Sequence, residues 1–208
     1  MTVRVAVIDY GMGNIGSICK MLRHVGAEPL VSSDPRQLRD VDKLILPGVG
    51  HFDRAMGNLA AAGLVDELTE LVKGRGMPLL GICLGMQLLG CASEEGTRAG
   101  LGFVDARVRR FVAQRDRRLK VPHMGWSTLQ VTRPSALLAG VDVESRFYFV
   151  HSYYVDCTNE SDVLARACYG QAFVAALERG NVSGVQFHPE KSHRFGIRLF
   201  QNFVNSGT

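Results

Sequence analysis

The chain has 208 residues and a net charge of +4, with 46% hydrophobic and 21% charged residues. That is the profile of an ordinary globular protein of about one domain, and it excludes disordered, collagenous and coiled-coil classes. No run reaches the ~18 apolar residues of a membrane span, and "MTVRVAVIDY" lacks the sections of a signal peptide, so a cytoplasmic protein without a membrane partner is expected.

In chain order, residues 3–9 read as an apolar strand and residues 15–25 carry apolar positions at helical spacing. Between them "DYGMGNIG" matches G-x-G-x-x-G, with Asp34 about 20 residues on, as in a dinucleotide site. The match is weak, because Asp9-Tyr10 separate the strand from its first glycine. Asp34 followed by Pro35 reads more simply as a helix cap. Residues 29–31 and 43–46 are short buried strands, residues 52–59 and 64–73 helices, and residues 78–82 a strand leading into a helix at 84–90. Alternating elements with near-continuous apolar strands predict a parallel sheet covered on both faces. The second half turns strand-rich, at 106–111, 147–150, 163–169, 173–177 and 182–187, and a helix over 194–204 closes the chain. No repeat or linker divides it, so residues 1–208 are expected to form one domain.

The five cysteines form no C-x-x-C pair, which argues against a zinc ribbon or a disulfide framework. Cys83 differs from the other four. In "PLLGICLGMQLL" it stands between a strand and a helix with Gly81 and Gly85 on either side, the pattern of a nucleophile elbow. The helix N-terminus beneath it favours a thiolate. A base and an orienting group are then needed. "GVQFHPEKSH" offers both, since His188 and Glu190, two apart on an extended segment, share a face. A metal site from His188, Glu190 and His193 is the weaker alternative, for want of further ligands. "LILPGVGHFD" places glycines between a strand and a helix, where backbone N–H groups can converge on an oxyanion. The basic stretch over residues 107–120 reads as a solvated hairpin. It lacks the aromatic platforms of a nucleic-acid site.

Together, "LPGVGHFDRAM", "GICLGMQLL" and "GVQFHPEKS" resemble the class I (triad) glutamine amidotransferases over essentially the whole chain. "KVPHMGW", "FYFVHSYY" and "IDYGMGN" are similar to the glutaminase subunits of imidazole glycerol phosphate synthases within that family. The resemblance implies an α/β flavodoxin-like fold, with a central, mostly parallel sheet flanked by helices and additional antiparallel strands in the second half. It implies hydrolysis of L-glutamine, with ammonia passed to a (β/α)8 synthase subunit in a heterodimer, and no metal or organic cofactor. Carried over by motif, Cys83 is the nucleophile, His188 the proton carrier and Glu190 its orienting carboxylate. Leu84 with Val49 and Gly50 would form the oxyanion hole, and Gln87, Ser152 and Tyr153 would hold glutamine. Asn14, His123, Met124 and Trp126 would face the partner. Two departures, Ser127 where the family commonly has asparagine and His193 where many members have glutamine, fall near that face. They keep open a relative that feeds ammonia to a sugar-modifying amidotransferase. A non-catalytic binding subunit of the same fold is the remaining alternative.

Overall fold

The computed structural model describes residues 2–112 and 120–206. Its first half alternates β1 (Arg4–Ile8), α1 (Ile15–His24), β2 (Glu28–Ser32), β3 (Lys43–Gly48), α2 (Phe52–Ala61), α3 (Leu64–Thr69), β4 (Leu79–Cys83) and α4 (Leu84–Leu88). The second half adds β5 (Ala92–Ser93), β6 (Ala106–Arg110), β7 (His123–Thr128), β8 (Gln130–Val131), β9 (Arg146–His151), β10 (Tyr153–Cys157), β11 (Val163–Tyr169), β12 (Gln171–Arg179) and β13 (Val182–Val185), and ends in α5 (His193–Asn205). The main sheet runs β2-β1-β3-β4-β13-β12-β10-β6-β5, with β11 and β8 extending from β12. From β2 to β13 every neighbouring pair is parallel, whereas β13-β12, β12-β10 and β10-β6 are antiparallel. β13, the last strand in the chain, therefore lies beside β4 in the middle of the sheet, which brings the two ends of the sequence signal together.

The parallel strands are continuously apolar because both faces are covered. Ala6, Ile8, Leu44, Leu46 and Leu79 join one core with Phe52 and Leu59 of α2 and Leu64 and Leu68 of α3. Val5, Val7, Ile45, Leu80 and Ile82 join the other with Ile18 and Leu22 of α1 and Leu199, Phe200 and Phe203 of α5. Each of these side chains larger than alanine contributes roughly 1.5–3 kcal/mol by leaving water. Among the described residues no helix is long and apolar enough to cross a membrane.

The glycine-rich loop after β1 is explained by packing. Tyr10 Oη donates to the Pro47 carbonyl at 2.6 Å, and Asn58 Nδ2 donates to the Tyr10 carbonyl at 2.9 Å. Gly13, at φ 114°, lies so close to Pro47 that a Cβ would stand 2.8 Å from its ring. Asp34 caps the 3-10 turn Pro35–Asp40, accepting from Arg36 N–H at 2.9 Å. In the basic stretch, Arg109 on β6 is paired with Glu94 and Asp156. The hairpin expected there runs into residues 113–119, which lie outside the described residues.

β7 and β9 form a separate antiparallel ribbon, with Trp126 opposite Tyr148 and His123 opposite His151. Met124 and Trp126 point outward, at 62% and 47% exposure, while His123 is buried at 3%. His123, expected on the partner face with its neighbours, is therefore an inward residue. It stacks on Tyr169 and Phe149, with centroids at 4.2 and 5.1 Å. His123 Nδ1 and His151 Nε2 are 3.1 Å apart, and His151 Nδ1 is 2.8 Å from the Tyr153 carbonyl. A carbonyl only accepts, so His151 carries its hydrogen on Nδ1 and His123 donates to its bare Nε2. Ser127 Oγ, 3.3 Å from His123 Nε2, then donates to that ring. The chain of donors is satisfied with both rings neutral.

Burial pushes His123 down to about 4. It pushes His151 down to about 3, against the Tyr153 hydrogen bond and with help from the charges of His123 and His188. Both rings should stay neutral from pH 5 to 8 in NMR titration, and a midpoint near 6.5 for either contradicts the arrangement. Because the unfolded chain takes up these protons near 6.5 and the native one does not, the pair lowers stability as pH falls from there towards 4.

Candidate active site

The centre of the site is a backbone bend. Cys83 ends β4 with φ 56° and ψ −111°, a conformation costly for a residue with a Cβ. It persists because glycines let α4 fall back onto the sheet. A Cβ on Gly48 would stand 2.6 Å from Gly85 N, and one on Gly81 2.8 Å from the Gly85 carbonyl. A Cβ on Gly85 would overlap the Leu46 carbonyl oxygen. No other residue type fits at these three contacts. The helix is shorter than the spacing suggested, only Leu84–Leu88, so its macrodipole is small. What remains at the sulfur is the set of unpaired N–H groups of its first turn.

Beside β4, the strand β13 ends at Val185 rather than Phe187, and the chain bends at Gln186 and Phe187 before His188, whose N–H donates to the Tyr148 carbonyl at 2.9 Å. Glu190 does not reach His188 along an extended strand as expected. Pro189 opens a 3-10 turn, Pro189–Lys191, that folds the carboxylate back. His188 Nδ1–H then donates to Glu190 Oε1 at 2.8 Å, with the two side chains only 2% and 1% exposed. That bond fixes the ring and leaves Nε2 buried and, among the described residues, without a hydrogen-bond partner. Burial opposes a charge on His188, but the Cys83 sulfur and the Glu190 carboxylate outweigh it and push the imidazole up to about 10.

Cys83 and His188 line one cavity of about 320 Å³, together with Val49, Gly50, Leu84, Gln87, Ser152 and Tyr153. It lies within the size range of small-molecule pockets. The structure thus brings together every residue assigned to oxyanion and glutamine binding, with Glu190 behind His188. Asn14 sits at the start of α1, and Met124 and Trp126 on the outer face of β7. His193 stacks on Trp126, with centroids at 5.5 Å and planes 8° apart. It is thus turned to that surface, and among the described residues no group of three or more His, Cys, Asp or Glu could hold a metal ion.

Sequence reasoning missed two groups. Glu95 lines the cavity while its Oε2 accepts from Phe52 N–H at the start of α2. Gln186 is fully buried, with Oε1 accepting from Gln87 Nε2 at 3.0 Å and Nε2 lying 3.8 Å from Cys83 Sγ. The chain bends at Gln186 and Phe187, so strand alternation counted back from His188 does not mark it.

The family described as glutamine amidotransferase class-I matches residues 6–206. A Pseudomonas aeruginosa protein named imidazole glycerol phosphate synthase subunit HisH 2 is 50% identical over 96% of this chain and 98% of its own. Its namesake from Methanococcus maripaludis is 46% identical with the same coverage. Among solved structures, PurLQS from Thermotoga maritima superposes with a TM-score of 0.74 at 21% identity, covering 99% of each chain. A glutamine amidotransferase from the same organism gives 0.64 at 18%, covering 91% of this chain and 77% of that one. At those identities the likeness concerns the fold. By sequence and by architecture, the chain belongs to the class-I glutamine amidotransferases.

Proposed function

We propose that this chain is the glutaminase subunit of an imidazole glycerol phosphate synthase, hydrolysing L-glutamine to glutamate and ammonia for a separate (β/α)8 synthase subunit. The observation that carries it is the placing of Cys83 and His188 on one cavity with Glu190 bonded behind the imidazole. Glutamine enters with its side chain towards the sulfur, held by Gln87, Ser152 and Tyr153. The Cys83 thiol gives its proton to His188, and Sγ bonds to the amide carbon. The carbonyl oxygen takes the negative charge, facing Leu84 N–H and the Val49–Gly50 backbone. His188 then passes the proton to the departing nitrogen, the C–N bond breaks, and a glutamyl thioester remains. Water, deprotonated by the same Nε2, displaces the sulfur and releases glutamate. Glu190 holds the ring throughout and supports its charged form.

The chain works as one domain in the cytoplasm, in a heterodimer. Asn14, Met124 and Trp126 are the residues assigned to the partner. Similarity to subunits so named in two organisms supports the histidine pathway over a sugar-modifying one.

Mixing the purified chain with a histidine-pathway synthase subunit should raise glutamate release. In that complex Cys83→Ala should lower it by at least ~10³-fold and His188→Asn by roughly 10²–10⁴-fold. Retained activity in Cys83→Ala contradicts the mechanism, and no stimulation by such a subunit contradicts the pathway. In Cys83→Ala, NMR should place the His188 midpoint below its native value of about 10, since one of the two raising groups is gone. An unchanged midpoint would mean that the sulfur does not act on the ring. A raised native value stabilises fully below the unfolded 6.5, and the gain is lost as pH climbs towards about 10, so the variant loses less over that interval.

A further inference from the structure

We propose that Gln186 is a positioning residue for the nucleophile, its carboxamide N–H aimed at Cys83 Sγ so that the sulfur is solvated by a fixed donor once it has lost its proton. The inference rests on Cys83 being the nucleophile.

The orientation of an amide is set by its partners, and here the partners leave one solution. The Tyr153 carbonyl can only accept. It takes His151 Nδ1–H at 2.8 Å and the Gln87 side chain at 2.9 Å, so the Gln87 end facing it is Nε2. The same Nε2 is 3.0 Å from the Gln186 side chain, which must therefore present Oε1 to it. What Gln186 has left is its NH2 group, and that group is the one 3.8 Å from Cys83 Sγ. A rotation of either amide would set two acceptors or two donors against each other at about 3 Å, at full desolvation cost, since Gln186 is 0% and Gln87 4% exposed.

The sulfur has a second neighbour of opposite character. The Val150 carbonyl lies 4.0 Å from Sγ, where it can accept from the thiol. Once the proton leaves, that carbonyl faces a negative sulfur and repels it. The Gln186 N–H does the reverse: it is a poor partner for the thiol and a good one for the thiolate. Gln186 thus favours the reacting form and draws Sγ away from β9. Besides His188, the ionisable groups around the sulfur are Tyr10 from the loop after β1 and, on the cavity wall, His151, Tyr153, Glu95 and Lys191. All of them are untouched by a change at position 186.

The test is the pH dependence of Cys83 alkylation by iodoacetamide, read at the Cys83 peptide by mass spectrometry because Cys91 and Cys168 are exposed. Gln186→Met keeps the shape and removes the donor. We expect its alkylation midpoint to rise by about one pH unit, and kcat for glutamine in the complex to fall ~10-fold with KM nearly unchanged. A profile superposable on that of the parent protein overturns the proposal. Should Gln186→Met not fold, Gln87→Met releases the Gln186 amide from its anchor. Its midpoint should also rise, and there too a superposable profile counts against the idea. If instead Cys83→Ala keeps glutaminase activity, the nucleophile assignment fails, which is a different result from an unshifted profile.

Discussion

The start of α4 lies almost in contact with the backbone of β3 and β4, and the catalytic geometry depends on that closeness. With a Cβ at Gly48, Gly81 or Gly85 the helix would have to lift from the sheet. Cys83 could then relax from φ 56° into an ordinary strand or helix conformation, and its side chain would swing into the core or along the strand. Gly48 and Gly81 weaken the strands that carry them and Gly85 weakens α4, and burial on both faces of the sheet offsets the loss. Strain at one residue is sustained by two cores at once, through Leu46 and Leu79 on one side and Ile45, Leu80 and Ile82 on the other.

The second half of the chain serves this bend. By entering the sheet beside β4, β13 delivers His188 to the sulfur, and the turn begun by Pro189 delivers Glu190 to His188. A buried imidazole–carboxylate pair is not an obvious gain in stability, because both groups lose their hydration. Glu190 Oε2 and His188 Nε2 have no hydrogen-bond partner among the described residues. The pair makes better sense as chemistry: a ring held in one tautomer, easily charged, with its free nitrogen turned to the cavity. The neutral His123–His151 pair is built the opposite way, with every ring nitrogen satisfied and burial driving both values down. Two sets of buried histidines within one fold are thus separated in role by whether a carboxylate or a carbonyl stands behind them.

Most of this was legible in the residues. The parallel strands were readable because both faces are apolar, and the triad because glycine, cysteine, histidine, proline and glutamate stand where chemistry, not packing, requires them. β7 escaped notice because its inward residues, His123 and Ser127, are polar and satisfied by hydrogen bonds, so no apolar alternation marks it. β10 escaped because only Ser152 separates it from β9, and the two strands read as one aromatic run. Glu190 was paired with His188 correctly but by the wrong path, since an i to i+2 rule for strands was applied across a proline-initiated turn. Gln186 was overlooked because it cannot titrate. Its importance lies in which end of an amide faces the sulfur, and only the surrounding partners fix that.

In this mechanism one of five cysteines, the one at the bend, attacks the amide of glutamine. Its most direct test is to treat the protein, in complex with its synthase partner, with an electrophilic glutamine analogue and to map the modified peptides by mass spectrometry. A single stoichiometric adduct is expected on Cys83, formed faster than any on the exposed Cys91 or Cys168 and blocked by excess glutamine. An adduct distributed over the exposed cysteines, or none at Cys83, would contradict it.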